Sequence, residues 1–136
     1  MTPPRPSGPV KRVLVVDDEP DLVDIMATAL SSQGFAVTSA PDGLQAMAQI
    51  RRDCPDAMLL DLNMPRMDGW AVLEQLRAQP PARPLRIVVL TGSERSASGR
   101  EQVLAAGAAA FLVKPCDPDQ VVRVVTRVLG RPWPAS

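Results

Sequence analysis

The chain has 136 residues, with 15 basic and 15 acidic side chains, no histidine and two cysteines. This length suits one domain, and a formal net charge of zero gives no overall attraction to nucleic acid or to an anionic membrane. The lack of histidine excludes Ser-His-Asp and Cys-His catalytic pairs, histidine-bound zinc and a phosphohistidine supplied by the chain itself.

The amino-terminal segment, residues 1–11, is expected to be a flexible tail. Four of the 15 prolines lie in the first nine residues, and proline lacks the amide hydrogen that sheets and helix interiors require. The segment has no apolar signal-peptide centre, and no apolar run approaches the roughly 20 residues that span a bilayer. Cys54 and Cys116 form no Cys-x-x-Cys pair. These features predict a cytoplasmic protein without membrane insertion.

Five short apolar runs predict five strands. Residues 13–16, 57–60, 87–90 and 110–113 are continuously apolar, whereas residues 35–40 include Thr38 and Ser39. Continuous runs are typical of strands buried on both faces of a parallel sheet, and a mixed run suits an edge strand.

Helical spacing between these runs predicts five helices. Pro20 and Gly34 bound the first, Gly107 ends the fourth, and Asp117 followed by Pro118 begins the fifth. A proline cluster at residues 80–84 predicts a loop before the fourth strand. The expected buried stripes are Leu22, Ile25, Met26, Ala29 and Leu30; Leu44, Met47 and Ala48; Val72, Leu73 and Leu76; Val103, Leu104 and Ala106; and Val121, Val124, Val125, Val128 and Leu129.

Strict alternation of strand and helix predicts an α/β domain with an open, doubly wound parallel sheet, because strand-helix-strand crossovers are right-handed. The chain is too short for an eight-stranded barrel, which needs about 250 residues. In open sheets of this kind, ligands bind beyond the carboxyl ends of the strands.

Polar side chains follow four of the five predicted strands at this edge. Individually they have structural interpretations: Asp18 could cap the first helix, Thr91 could cap the fourth, and Lys114 could be a solvated residue at a strand end. Together they predict a convergent site. Its members are Asp17, Asp18 and Glu19 after the first strand, Asp61 after the third, Thr91 after the fourth and Lys114 after the fifth.

Carboxylates gathered at one edge repel one another unless a cation lies among them. Oxygen ligands with room for a phosphate favour Mg2+. Lys114 and the Thr91 hydroxyl are suitable donors to phosphoryl oxygens, and Asp61 is the candidate nucleophile because carboxylates form acyl phosphates. A calcium-binding EF-hand loop beginning at Asp61 is disfavoured, since Pro65 and Gly69 fall at the wrong positions.

These residues resemble the receiver domains of bacterial two-component response regulators, including the single-domain chemotaxis type. The resemblance covers residues 12–130 and lies in Val15-Val16-Asp17-Asp18-Glu19, Asp61-Leu62-Asn63-Met64-Pro65 with Asp68-Gly69, Leu90-Thr91-Gly92, Ala106-Gly107-Ala108 and Val113-Lys114-Pro115. It implies a flavodoxin-like sheet of order 2-1-3-4-5. It also implies Asp61 as the phosphoacceptor, a cis peptide before Pro115, and Mg2+ held by Asp17, Asp18, Asp61 and the backbone carbonyl of Asn63.

The resemblance further implies a switch. Phosphorylation would draw Thr91 toward the phosphoryl group and let Phe111 turn inward, which biases the face of the fourth helix, fifth strand and fifth helix toward a protein target. Phe111 stands where many members have Tyr, and Cys116 stands where an aromatic residue is common. Asn63 and Ser93 occupy positions that tune the acyl-phosphate lifetime in the family.

The expected function is a phosphorylation-activated switch that takes its phosphoryl group from a histidine kinase or phosphotransfer protein. The six residues after Gly130 form a short tail, residues 131–136, and are too few for a DNA-binding domain. The alternative is an Asp-nucleophile phosphatase of the haloacid-dehalogenase type, which places a second acid where Asn63 stands. A flavodoxin-like binding module is a third possibility, but acidic strand ends would repel a flavin phosphate.

Overall fold

A computed structural model describes residues 10–92 and 97–130, with side chains except at residues 97 and 98. The predicted tails, apart from residues 10 and 11, and the predicted role of Ser93 lie outside the described residues. Strands and helices alternate throughout. Their bounds are β1 Arg12–Val16, α1 Pro20–Ser31, β2 Ala36–Ala40, α2 Gly43–Arg52, β3 Ala57–Asp61, α3 Gly69–Ala78, β4 Arg86–Thr91, α4 Ala97–Ala105, β5 Ala110–Val113 and α5 Pro118–Gly130.

The five strands form one parallel sheet of order β2-β1-β3-β4-β5, which confirms the predicted topology. At their carboxyl ends, two strands extend one residue beyond the predicted runs, so that Asp61 is the last residue of β3 and Thr91 the last of β4. Asp61 pairs in register with Leu90, and Thr91 pairs with Val113. The parallel register therefore brings the polar strand ends to one edge.

The core has two layers, one on each face of the sheet. One layer packs α1 and α5 against the sheet through residues such as Met26, Leu30 and Val125. The other packs α2, α3 and α4 through residues such as Met47 and Leu73. Successive β1 residues alternate between the layers, which explains why the apolar runs are continuous.

The predicted buried stripe of α2 is wrong at two positions. Leu44 is 58% exposed and Ala48 is also exposed. The helix instead buries Gly43, Ala46, Met47 and Ile50. Glycine contributes no apolar side chain to the pattern, so hydrophobicity alone selected the neighbouring face. In α1 and α4, Ile25 and Leu104 are likewise exposed, whereas the predicted faces of α3 and α5 are confirmed as buried or half-buried.

The predicted helix-boundary residues are confirmed. Gly34 and Gly107 follow α1 and α4 with φ of 94° and 109°, in the left-handed region that glycine adopts readily. The Asp117 carboxylate accepts a hydrogen bond from the Asp119 amide at the start of α5. Within residues 10–92 and 97–130, none of the helices has the length and apolar character needed to cross a membrane.

Candidate functional site

Three carboxylates meet at the carboxyl edge of the sheet. Asp17 follows β1, Asp18 comes next, and Asp61 ends the neighbouring β3. One oxygen from each lies within 4.8 Å of the others. Asp17 and Asp61 are buried, whereas Asp18 is exposed. The predicted acidic cluster is therefore present, with two members inside the protein and one at its rim.

Lys114 joins the cluster from the end of β5. Its Nζ lies 2.8 Å from Asp17 Oδ2, 3.4 Å from Asp61 Oδ2 and 3.6 Å from Glu19 Oε1. The Lys114 side chain is only 18% exposed, so it is not the solvated residue that its position alone would allow. The Lys114–Pro115 peptide bond is cis, as the family resemblance implied.

Burial and the attraction between opposite charges have opposing effects on the pKa values of Asp61 and Lys114. Burial raises the pKa of Asp61, as does the nearby Asp17, while a hydrogen bond from the Asn63 amide and the charge of Lys114 oppose the rise. For Lys114, burial alone would lower the pKa, but the hydrogen bond and charge of Asp17 and the charge of Asp61 raise it. Lys114 is therefore protonated at neutral pH and serves as the cation facing these acids.

The backbone around Asp61 is closely held. The Asn63 amide donates to Asp61 Oδ1 at 3.2 Å, and the Leu62 amide donates to the Leu90 carbonyl on β4 at 3.1 Å. A Cβ on Gly69, the first residue of α3, would lie 2.5 Å from the Asp61 carbonyl oxygen. Glycine is therefore required for α3 to begin this close to the end of β3.

Thr91 and Phe111, the predicted switch residues, lie on the adjacent strands. Thr91 is buried at the end of β4, and its carbonyl accepts a hydrogen bond from the Lys114 amide at 2.7 Å. Phe111 on β5 is half-buried and packs against the layer formed with α2, α3 and α4. The Arg100 guanidinium of α4 lies over its ring, 5.5 Å from the centroid, within the range of a cation–π contact.

The capping interpretation does not explain Asp18. The residue that precedes α1 is Glu19, which makes no side-chain cap hydrogen bond, so Asp18 does not cap the helix. Asp17 Oδ1 instead accepts from the Glu19 amide at 3.0 Å.

The donor set suits Mg2+. Three carboxylate oxygens close together, two of them on buried side chains, provide the hard anionic ligands that this ion prefers. Lys114 offsets only part of their charge. Asp17, Asp18 and Asp61, with the Asn63 carbonyl that the resemblance assigns, are the residues that could hold the ion.

Sequence reasoning missed two polar residues beside the site. Asp42 is buried just before α2, where its Oδ1 accepts from the Gln45 amide at 2.9 Å. Its Oδ2 accepts from Arg66 Nη1, 3.1 Å away in the loop between β3 and α3. The Asp42-Gly43 dipeptide ahead of a helical segment is an N-cap signal that could have located Asp42. No local pattern could have supplied its Arg66 partner.

Comparison with known proteins gives a consistent family assignment. The response regulator receiver domain family matches residues 13–126. An uncharacterized 14.6 kDa protein in the sodA1 3′ region of Leptolyngbya boryana is 34% identical over 83% of this chain and 86% of its own length. The probable transcriptional regulatory protein TcrX of Mycobacterium tuberculosis is 37% identical over 93% of this chain.

The chain spans about half of TcrX, 53% of its length. Among solved structures, the chemotaxis protein CheY4 of Vibrio cholerae superposes with a TM-score of 0.80 at 30% identity, covering 89% of this chain and all of that chain.

Proposed function

The chain belongs to the response regulator receiver domain family, and from that membership we propose that it accepts a phosphoryl group on Asp61 and signals through protein contacts. Receiver domains act in phosphorylation-activated signalling and interact with histidine kinases and phosphotransfer proteins. The observation that carries the assignment of Asp61 is that its buried carboxylate lies close to those of Asp17 and Asp18 and 3.4 Å from the ammonium of Lys114.

The proposed reaction is transfer from a donor phosphohistidine. An Asp61 carboxylate oxygen attacks phosphorus, the Asp61 O–P bond forms, and the donor N–P bond breaks with its electron pair returning to the imidazole. Asp61 Oδ1 is held by the Asn63 amide, which leaves Oδ2, beside Lys114, as the atom better placed to attack. Because these 136 residues contain no histidine, the donor phosphohistidine must lie outside this sequence.

Mg2+, when bound, would neutralise charge on the phosphoryl oxygens. Asp17, Asp18, Asp61 and the Asn63 carbonyl are the proposed ligands. Lys114 would orient the incoming group by pairing with one of its oxygens, and the Thr91 hydroxyl would donate to another. These roles draw on groups that already lie at the edge of the sheet around Asp61.

Signalling is proposed to follow from the new charge. A phosphoryl group adds about 1.5 to 2 negative charges, which would draw Thr91 inward and open space for Phe111 to follow. Phe111 would then leave the Arg100 guanidinium that covers its ring. The face formed by α4, β5 and α5 would present a changed surface to a downstream protein target. We place this switch in the cytoplasm, with proteins as its partners and neither nucleic acid nor membrane insertion involved.

The proposal is tested by incubating the protein with Mg2+ and acetyl phosphate and measuring its intact mass. The wild type should gain one phosphoryl group, whereas Asp61→Asn should gain none. Asp68→Asn is the matched control, because Asp68 is an exposed acid in the same loop that only caps α3. Equal modification of Asp61→Asn and the wild type, or no modification of the wild type by any donor, would refute the assignment.

A second assay separates the switch from the alternative enzyme. Multiple-turnover hydrolysis of unrelated phosphate esters would favour the haloacid-dehalogenase type of phosphatase. Family membership favours the receiver function, as does the neutral side chain of Asn63 at the position where that class of phosphatase has a second acid.

A further inference from the structure

Asp42 is a buried carboxylate outside the acidic cluster, and it makes two different contacts. Its Oδ1 caps α2 through the Gln45 amide at 2.9 Å, which is a common structural role. Its Oδ2 accepts from Arg66 Nη1 at 3.1 Å, across 24 positions of sequence. Helix capping explains the first oxygen only. The second connects the turn before α2 to the loop that follows Asp61.

Arg66 has an unusual backbone for a residue with a side chain. Its φ is 69°, in the left-handed region that is disfavoured for residues other than glycine and, to a smaller degree, asparagine and aspartate. Its side chain is 65% exposed, while the Asp42 side chain it contacts is 3% exposed. Surrounding contacts must therefore hold the loop in this conformation.

A backbone contact joins the same two segments. The Gly43 amide donates to the Met67 carbonyl at 2.9 Å. A Cβ on Gly43 would lie 2.4 Å from that carbonyl oxygen, so the turn and the loop touch with no room for a side chain between them. The Asp42–Arg66 pair and the Gly43–Met67 bond thus fix the far end of the loop.

The end of the loop next to Asp61 is also fixed by hydrogen bonds. The Gly69 amide donates to the Leu62 carbonyl at 3.1 Å, and the Asn63 amide donates to Asp61 Oδ1 at 3.2 Å. The segment of residues 63–66, here named the arch, is therefore anchored at the phosphoacceptor on one side and at Asp42 on the other. Movement of Arg66 would be transmitted to Asn63 through only two intervening residues.

We infer that the Asp42–Arg66 pair is a positioning contact, which holds the arch so that Asn63 is presented correctly to Asp61 and to a bound Mg2+. The inference rests on the proposed function. In this role Arg66 contacts neither the acidic cluster around Asp61 nor the incoming phosphoryl group, and it acts through the backbone of the arch. Loss of the pair should weaken Mg2+ binding more than it affects the phosphoryl-transfer rate once Mg2+ is saturating.

Arg66→Asn is the informative variant. Asparagine tolerates the left-handed backbone better than arginine does, so this change removes the guanidinium without adding strain. Asp42→Asn is the partner variant, because its amide oxygen can still cap α2. The control is Arg83→Asn, which breaks the pair of Arg83 with Asp56, also 3.1 Å long and with an Arg83 side chain that is 55% exposed. Asp56 lies at the opposite end of β3.

Mg2+ affinity is measured by Trp70 fluorescence in a Trp133→Phe background. Trp70 is the neighbour of Gly69, which lies against the Asp61 backbone. Arg66→Asn and Asp42→Asn should each weaken Mg2+ binding about three- to tenfold, between the effects typical of exposed ion pairs and of groups that orient metal ligands. The double variant should bind Mg2+ no more weakly than either single variant, because both substitutions remove the same contact. Arg83→Asn should bind Mg2+ as the wild type does.

Acetyl phosphate modification supplies the second measurement. At saturating Mg2+, the rate for Arg66→Asn should return to within about twofold of the wild type, while the half-saturating Mg2+ concentration stays raised. Unchanged Mg2+ affinity in Arg66→Asn, or an equal loss in Arg83→Asn, would overturn the positioning role even if the wild type is phosphorylated on Asp61. Modification of Asp61→Asn would instead overturn the proposed function.

Discussion

Replacing Lys114 with methionine tests the charge balance of the site directly. Lys114 Nζ contacts Asp17 Oδ2 at 2.8 Å and Asp61 Oδ2 at 3.4 Å, and the Asp17 side chain is fully buried. Methionine retains most of the apolar stem and removes the charge. Because the pKa of Lys114 lies above its ordinary value, its contribution to stability is fully present at neutral pH and is lost only as pH rises through that raised value.

Removing one partner of a buried ion pair costs about 3 to 5 kcal/mol. Lys114 retains some exposure, so we expect a loss of about 3 kcal/mol in the free energy of unfolding without metal. At a Mg2+ concentration about tenfold above its dissociation constant, binding adds about 1.4 kcal/mol to the wild type. The variant site carries one more net negative charge. Roughly tenfold tighter binding would raise that contribution to about 2.7 kcal/mol.

Urea unfolding followed by circular dichroism, in EDTA and in Mg2+, measures these quantities. Lys11→Met is the matched control, because Lys11 is the chain's other lysine and precedes β1 at the opposite edge of the sheet. It should change neither the stability in EDTA nor the gain from Mg2+. A Lys114→Met variant as stable as the wild type in EDTA, or equal stabilisation of both proteins by Mg2+, would contradict the proposed charge balance.

Two further predictions concern packing and thiol reactivity. Gly69→Ala should lower the free energy of unfolding by about 2 kcal/mol and slow modification of Asp61, since its Cβ would lie 2.5 Å from the Asp61 carbonyl oxygen. Gly92→Ala, where a Cβ meets no heavy atom of the described residues within 4 Å, should change neither quantity, and equal urea midpoints for the two variants would contradict this prediction. Burial raises the pKa of the Cys116 thiol, despite the opposing charge of Lys114. Cys116 should therefore react with iodoacetamide more slowly than free cysteine at pH 8, and its reaction should become faster only as pH rises further. A fast reaction at neutral pH would contradict this prediction and would support regulation through the thiol.

The acidic site could be predicted from sequence because its geometry follows from the sheet. In parallel strands, the first polar residue after each apolar run falls at the same edge, and this places Asp17 beside Asp61 with Lys114 on the edge strand. Burial of Asp61 and the 2.8 Å contact of Lys114 with Asp17 could not be predicted, since both depend on side-chain packing between separate elements.

The α2 region shows where sequence patterns fail. Its orientation is set by Gly43 lying against the Met67 carbonyl, a contact between two loops that no local periodicity encodes. Hydrophobicity therefore pointed to Leu44, which is exposed, and gave no signal for the pairing of Asp42 with Arg66. The wrong prediction for Leu44 and the missed pairing both occur at the start of α2. The inferred positioning contact lies where tertiary structure overrides the local pattern.

The exposed acids at the rim of the site predict that a bound cation would assist delivery of the phosphoryl group as well as its transfer. Asp18 and Glu19 are exposed at the entrance, while Asp17 and Asp61 lie buried beneath them. In the proposed reaction, the incoming phosphoryl group is anionic and would have to pass two exposed acids to reach Asp61. Lys114 already pairs with Asp17 and offsets a single charge. Electrostatic repulsion should therefore keep phosphorylation slow until Mg2+ is present, even with a donor in contact.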